Sequence, residues 1–214
     1  MTDWVDAVER AYVAAAVGAV GATATATGGA AATGGAAGSE RIDRPIDRPR
    51  EVVDQARAAA GAVASRYLAV GTPRSIAFVI QSATAAELGA ARWSQAAHEK
   101  WFKPREWRVA VLDGATEAAL GDAGWRLVSL AEALAADIVC VHAPIALAAV
   151  QLRRGTHVNA LAGATLDDDL ARLAMVVHER EGLPALAAGL VDGRQLDELT
   201  VFVIDDARIA LAAL

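Results

Sequence analysis

The sequence predicts a doubly wound α/β fold, a mainly parallel sheet flanked by helices, with an N-terminal helix on a Gly/Ala-rich linker. Three observations predict it. Short, continuous apolar runs such as Ser75–Val79, Val109–Leu112 and Ile138–Val141 read as strands buried on both faces, the habit of parallel sheets. Segments with helical spacing separate these runs, as parallel crossover connections require. A chain of 214 residues that is 55% hydrophobic and 21% charged has enough apolar surface for a sizeable core.

At the N-terminus, Trp4, Val5, Val8, Ala11, Tyr12 and Ala15 recur at helical spacing with Thr2 or Asp3 available as N-cap. A helix is therefore expected over about 3–17, within a first unit of residues 1–20. Gly, Ala and Thr then dominate as far as Gly38, offering too little side-chain bulk for a core, so residues 21–50 are expected to form a flexible linker. The linker ends with Ile42-Asp-Arg-Pro45 repeated as Ile46-Asp-Arg-Pro49, a short stiff connector because each proline biases its preceding Arg toward extended geometry. Residues 51–214 make the main domain. Its first helix, 51–70, is alanine-rich enough for close packing and is stopped by Gly71-Thr-Pro73. Next come strand 76–80, helix 84–102, strand 107–112, a helix near 115–121, an edge strand at 126–128 and a helix over 129–135. Strand 137–142, a helical crossover to 151, and strands 156–161 and 174–177 follow, and helices near 183–190, 195–199 and 205–213 close the chain.

Composition removes several classes of function. A net charge of −6, a pI near 5.2, few aromatics and no clustered Lys/Arg stripe argue against nucleic acid or an anionic membrane as partner. An anionic ligand needs a local exception. The N-terminus carries acids where a signal peptide has basic residues, and repeated glycines between Ala11 and Gly38 break any bilayer-spanning helix, so a cytoplasmic protein is expected. The single Cys140 lies in an apolar run and reads as a buried, inert thiol in a reducing compartment. His98 and His178 have no ligands at metal-binding spacing, so no metal site is expected.

The first long strand should lead into a dinucleotide turn, and there the glycines are missing. Ile80-Gln-Ser-Ala-Thr-Ala-Ala-Glu-Leu88 has none before Gly89, and Ile80 and Gln81 would crowd a pyrophosphate at the helix N-terminus. Ser82 and Thr84 are candidate cofactor-binding residues, since each offers a hydroxyl to phosphate, although capping alone also explains them. Asp113 ends the second strand where an acid would bind ribose hydroxyls and favour NAD over NADP; it equally suits an Asp-Gly turn. His142 stands at the C-terminal end of a strand, the edge where open α/β sheets bind ligands, and is the best-placed candidate acid/base. His157 reads as a hydrogen-bonded core residue. Trp93, Trp101 and Phe102 sit among charges and suit either core packing or a partner surface.

Four segments, in order, resemble the ornithine cyclodeaminase/μ-crystallin family: Ala56–Ala69, Ala136–Cys140, Gly155–Ala160 with its Gly-x-His-x-Asn-Ala pattern, and Asp192–Phe202 ending in Thr-Val-Phe. The similarity spans residues 51–214 and implies a Rossmann-like domain. Asp3–Val20 resembles the family's opening helix, but the linker replaces nearly all of the substrate-binding, dimerising β domain that follows it there. The resemblance implies nicotinamide-dependent chemistry on small amino or imino acids, yet most of its site residues are altered. Ala56 stands at the position of the family's carboxylate-binding arginine; Arg57, one residue on and about 100° round a helix, would serve only after a register adjustment, and otherwise reads as a solvated or helix-packing arginine. Ala164 stands where the cyclodeaminases carry an acid. Asp167, Asp168 and Asp169 nearby look like a helix-capping cluster, and Asp205 and Asp206 fall where the family places a glycine-containing turn.

Two functions follow. The first is a degenerate family member without autonomous catalysis, a Rossmann-like binding or accessory protein acting with a protein partner or as a homo-oligomer, with no cofactor expected. The alternative is an NAD-dependent oxidoreductase or cyclodeaminase of a small amino or imino acid, with His142 and Arg57 as catalytic candidates and Ser82, Thr84 and Asp113 toward NAD. A sensor that binds a nucleotide or other small molecule without turnover, resting on Asp113, is a third possibility.

Overall fold

Helix α1 (Asp3–Ala26) opens the chain, and α2 (Arg50–Leu68) leads into β1 (Ser75–Ile80), α3 (Ala85–His98) and β2 (Glu106–Val111). Then come α4 (Glu117–Leu120), β3 (Arg126–Leu127), α5 (Leu130–Leu134), β4 (Ile138–Val141), β5 (Ala146–Leu147) and a 3-10 turn (Ala149–Gln151). The remainder is β6 (His157–Ala160), β7 (Thr165–Leu166), α6 (Asp168–Leu173), β8 (Met175–His178), α7 (Leu183–Ala187), β9 (Thr200–Val203) and α8 (Arg208–Ala213). The structure, a computed structural model, describes residues 3–26, 49–69, 71–191, 198–204 and 206–214.

Seven strands pair in parallel in the order β3-β2-β1-β4-β6-β9-β8, and β5 and β7 form a separate parallel pair. From β1 the chain builds outward to one side through β2 and β3, then returns to build the other side from β4. The junction of β1 and β4 is therefore the switch point outside which ligands bind at the strands' C-terminal ends. This is the doubly wound, Rossmann-like architecture expected from the alternating pattern.

Side-chain alternation along β1 divides the core. Ile76, Phe78 and Ile80 pack under α1, α2, α3 and the C-terminal helices, whereas Ala77 and Val79 join the cluster that contains Val139, Val141, Leu134 and Leu170 on the other face. Alanines let α2 sit deep: Ala56, Ala58, Ala59, Ala60 and Ala62 are fully buried. At Gly61 a Cβ would stand 3.2 Å from Leu161 and 3.4 Å from Asn159, so a larger residue would push α2 away from β6.

Helix α1 docks on this body. Tyr12 donates to the buried Glu179 (2.9 Å), and Glu9 accepts from Arg66 (2.6 Å) and Tyr67 (2.6 Å). Trp4 meets Trp93 edge-on with 5.7 Å between ring centres, and the Arg66 guanidinium lies 5.1 Å from the Trp101 ring. The aromatic residues of the α3 region thus pack within the chain.

Several expectations are corrected. The first helix continues through Ala26, because alanine favours helix strongly enough to carry Gly18 and Gly21 at a cost of about 1 kcal/mol each. The rest of the expected linker, with the Ile-Asp-Arg-Pro repeat up to residue 48, lies outside the described residues, as does most of the helix expected at 195–199. Residues 143–151 are not a helical crossover: Pro144 lacks an N–H, and β5 and a single 3-10 turn occupy the segment. The helix from 84 stops at His98. Strand β9 was unforeseen; its four apolar or β-branched residues follow an acidic, helix-like stretch that masks them, yet they sit between β6 and β8. Asp167 accepts from the Leu170 N–H (2.6 Å) and caps α6, in keeping with the capping role of that acidic cluster.

Candidate functional site

Arg50, Val53, Asp54 and Arg57 recur at the spacing that lines one face of a helix, and α2 turns this face toward α3 and the end of β4. With Glu87 and Ala90 from α3, His142 directly after β4 and Ala162 after β6, they enclose a cavity of about 260 Å³ at the switch point. An adjoining cavity of about 440 Å³ shares Arg50, Asp54 and Ala90 and reaches Trp93. Arg57 and His142, singled out separately in the sequence, thus line one cleft.

Its charges are unevenly satisfied. Asp54 lies 3.6 Å from Arg50, and burial pushes its carboxyl above the ordinary range despite Arg50 and Arg57. Arg57 makes no hydrogen bond or ion pair within 4 Å to any described residue, and its Nε is buried without a partner. That unpartnered Nε costs free energy that a bound carboxylate would recover. His142 Nε2 lies 3.0 Å from Ser94 Oγ, and burial, with His98 and Arg57 nearby, brings its pKa down to about 3. At neutral pH it is an uncharged imidazole, able to hydrogen-bond a ligand and too weakly basic to hold a proton.

The turn from β1 into α3 is closed from within. Thr84 Oγ1 accepts from the Glu87 N–H (3.4 Å), while the Glu87 carboxylate reaches back to take the Ser82 N–H (2.9 Å) and the Ser82 hydroxyl (3.3 Å). This is a capping-box variant, an internal anion placed where a pyrophosphate would use the same N–H group and helix end. Asp113 Oδ1 accepts from Gln81 Nε2 (2.6 Å), and Gly114 follows in the left-handed region at φ 83°. The residues therefore do not fit a dinucleotide as they stand: Asp113, the residue proposed from sequence for the ribose, is held by Gln81, and a second anion beside Glu87 would meet repulsion in place of free donors.

Beneath the cleft a buried polar chain fixes α2, α3 and the strands in register. His98 Nδ1 lies 2.7 Å from the Ser94 carbonyl and donates to it, which leaves Nε2 to accept from Ser65 Oγ (3.0 Å). Ser65 Oγ accepts from Asn159 Nδ2 (2.8 Å), Asn159 Oδ1 from His157 Nε2 (3.0 Å), and His157 Nδ1 from Thr200 Oγ1 (2.8 Å). One direction of donation satisfies every link, so the His and Asn of the Gly-x-His-x-Asn-Ala segment are structural. Burial lowers the His98 pKa to about 4 and raises that of the Cys140 thiol to about 12, leaving both uncharged.

Arg57 and His142 thus come together, while Ser82, Thr84 and Asp113 are engaged within the chain. Sequence reasoning overlooked Asp54 and Glu87, and read Gln81 as crowding a pyrophosphate without seeing it as the partner of Asp113. Thr84-x-x-Glu87 is a capping-box signal that was legible, and Asp54 was legible three residues before Arg57 on the same helical face. Among the described residues no group of three His, Cys, Asp or Glu side chains is placed to hold a metal ion, and no helix is long and apolar enough to cross a membrane.

Compared by sequence, the chain matches no family model and no curated protein. Its fold is shared with amino- and imino-acid enzymes of the ornithine cyclodeaminase/μ-crystallin group. An archaeal alanine dehydrogenase dimer with bound NAD superposes at TM-score 0.60 and 20% identity over 74% of this chain and 61% of that one. The Δ1-pyrroline-2-carboxylate reductase of Thermococcus litoralis, in complex with NADH and L-proline, gives 0.57 and 21% over 76% and 64%. A lysine cyclodeaminase, described with recognition of L-lysine, L-ornithine and L-2,4-diaminobutyric acid, gives 0.53 and 18% over 76% and 58%. The chain thus spans about three fifths of the length of these structures.

Proposed function

We propose that this chain binds a small amino or imino acid in the cleft between α2, α3 and the end of β4, as an ornithine cyclodeaminase/μ-crystallin-like Rossmann protein whose dinucleotide turn is closed. Arg57 carries the reading: a half-buried guanidinium whose Nε has no partner among the described residues, lining a 260 Å³ cavity at the sheet's switch point. It takes the ligand carboxylate as a two-pronged donor, Asp54 and Glu87 offer carboxylates to an ammonium or iminium nitrogen, and neutral His142 hydrogen-bonds beside them. In this role the protein is a cytoplasmic binding or accessory partner that needs no dinucleotide, in line with its single buried thiol. Calorimetric titration with L-alanine, L-proline and L-ornithine tests it. Saturable binding of at least one, without dinucleotide and lost in Arg57→Ala, is expected; silence from all three, or binding unchanged in the variant, contradicts it.

A second reading is NAD-linked turnover of the same acid by a reductase, dehydrogenase or cyclodeaminase. Asp113 at the end of β2 favours it, as does the fold shared with structures that hold NAD or NADH. It requires Glu87 to release Ser82. NADH binding that Asp113→Ala weakens, together with reduction of Δ1-pyrroline-2-carboxylate, would replace the first reading with this one.

A further inference from the structure

The end of the sheet opposite the cleft carries the local positive charge that the overall balance lacks. Arg74 precedes β1, Arg105 precedes β2, Arg108 lies in β2 and Arg153 precedes β6; with Ser75, Ala135, Glu106 and Asp137 they line a groove of about 350 Å³ at the strands' N-terminal edge. Four arginines thus face two carboxylates in a chain of net charge −6.

Both carboxylates are already committed. Glu106 Oε2 lies 2.6 Å from Arg108 Nη2 and its other oxygen pairs with Arg126, so these guanidiniums, the Arg108 bond foremost, hold its carboxyl below the ordinary range. Asp137 Oδ2 accepts from the N–H groups of Arg74 (2.7 Å) and Ser75 (2.9 Å) and from the Ser75 hydroxyl (3.2 Å), while Oδ1 pairs with Arg153. The acids orient Arg108 and Arg153 and leave nothing for Arg74 and Arg105. Those two are neighbours, joined by the bond from the Arg105 N–H to the Arg74 carbonyl (2.8 Å), and both are exposed. Among the described residues neither side chain makes a hydrogen bond or ion pair.

Like charges gathered around one groove repel, and the two carboxylates that line it are already committed. We propose that this groove is an anion site for a small, multiply charged phosphate, with Arg74 and Arg105 as its principal donors and Arg108 and Arg153 as a pre-oriented floor. Arginine suits it because the planar fork offers paired N–H groups to phosphate oxygens. Inorganic pyrophosphate is the probe. The site is independent of the amino-acid cleft at the other end of the strands.

Calorimetry at low ionic strength, on the full chain, tests the assignment. One saturable equivalent of pyrophosphate is expected, weakened about tenfold or more in the Arg74→Ala/Arg105→Ala double variant, unchanged in Arg57→Ala, and reduced by added NaCl. Both replaced side chains are exposed and unpaired, so the double variant should keep the wild-type melting temperature. Absence of saturable heat overturns the proposal. So does equal affinity in the double variant, or loss of binding in Arg57→Ala, which would place pyrophosphate in the other cleft.

Discussion

At the β1–α3 turn the N–H and hydroxyl of Ser82 already have an acceptor in the Glu87 carboxylate, whereas across the same crevice, on α2, the buried Nε of Arg57 has no partner among the described residues. The two places share a fold position that elsewhere serves ligands, and they differ in which polar groups remain unsatisfied. A buried group that lacks a partner is destabilising until something binds; a group satisfied from within has no such need. The contrast supports an amino-acid cleft beside a closed dinucleotide turn.

The largest expected effect falls on Arg57. Replacing it with Ala should weaken binding of a small amino or imino acid by about 3–4 kcal/mol, as for loss of one member of a desolvated charge pair, and Lys should restore part of it as a point charge. Calorimetry on both variants checks this; equal affinity in all three proteins would erase the distinction between cleft and turn.

Next is pH. His98 is fully buried with its pKa lowered from 6.5 to about 4, and that of His142 falls to about 3. A lowered histidine pKa means that the unfolded chain takes the proton first, so the stabilisation is complete above about pH 6.5 and lost as pH falls toward 4. His98 alone contributes on the order of 3 kcal/mol to this loss. Urea unfolding at pH 7 and pH 4.5 should show a lower midpoint in acid, and a His98→Gln variant a smaller difference between the two.

Glu87→Ala addresses the other side of the comparison. Removing the internal carboxylate frees Ser82, and affinity for NADH should rise by about tenfold, read by nucleotide fluorescence, with about 1 kcal/mol of stability lost with the cap. A variant as indifferent to NADH as the parent would show that Glu87 is not what closes the turn. The smallest effect is expected away from both regions: Tyr12→Phe deprives buried Glu179 of its 2.9 Å donor and should cost about 1 kcal/mol in thermal or urea unfolding, leaving ligand binding unchanged.

The scaffold was more legible in the sequence than the site. Continuous apolar runs marked β1, β4 and the C-terminal half of β2, because strands covered on both faces favour apolar residues at successive positions. β9 escaped because four residues beside an acidic stretch carry little periodic signal. Asp113-Gly114 announced its turn, and Gly114 adopts the positive φ. Ala207 shows the converse: it takes φ 55°, in the left-handed region, with a side chain that gives no hint of it. Arg57 is the instructive residue. Stepping one position from Ala56 rotates a side chain by about 100°, and the structure turns Ala56 fully into the core while Arg57 lines the cleft. The Thr84-x-x-Glu87 signal was legible, but the direction of its carboxylate was not, since it depends on the turn before it and the missing glycines leave that turn's shape open.

The most direct test titrates one cofactor-free sample twice by calorimetry, with L-proline, L-ornithine or L-alanine alone and with NADH alone. Saturable heat from an acid and none from NADH is the predicted result. Saturable heat from NADH with none from any acid would contradict it, placing the open site at the turn and the satisfied one on α2.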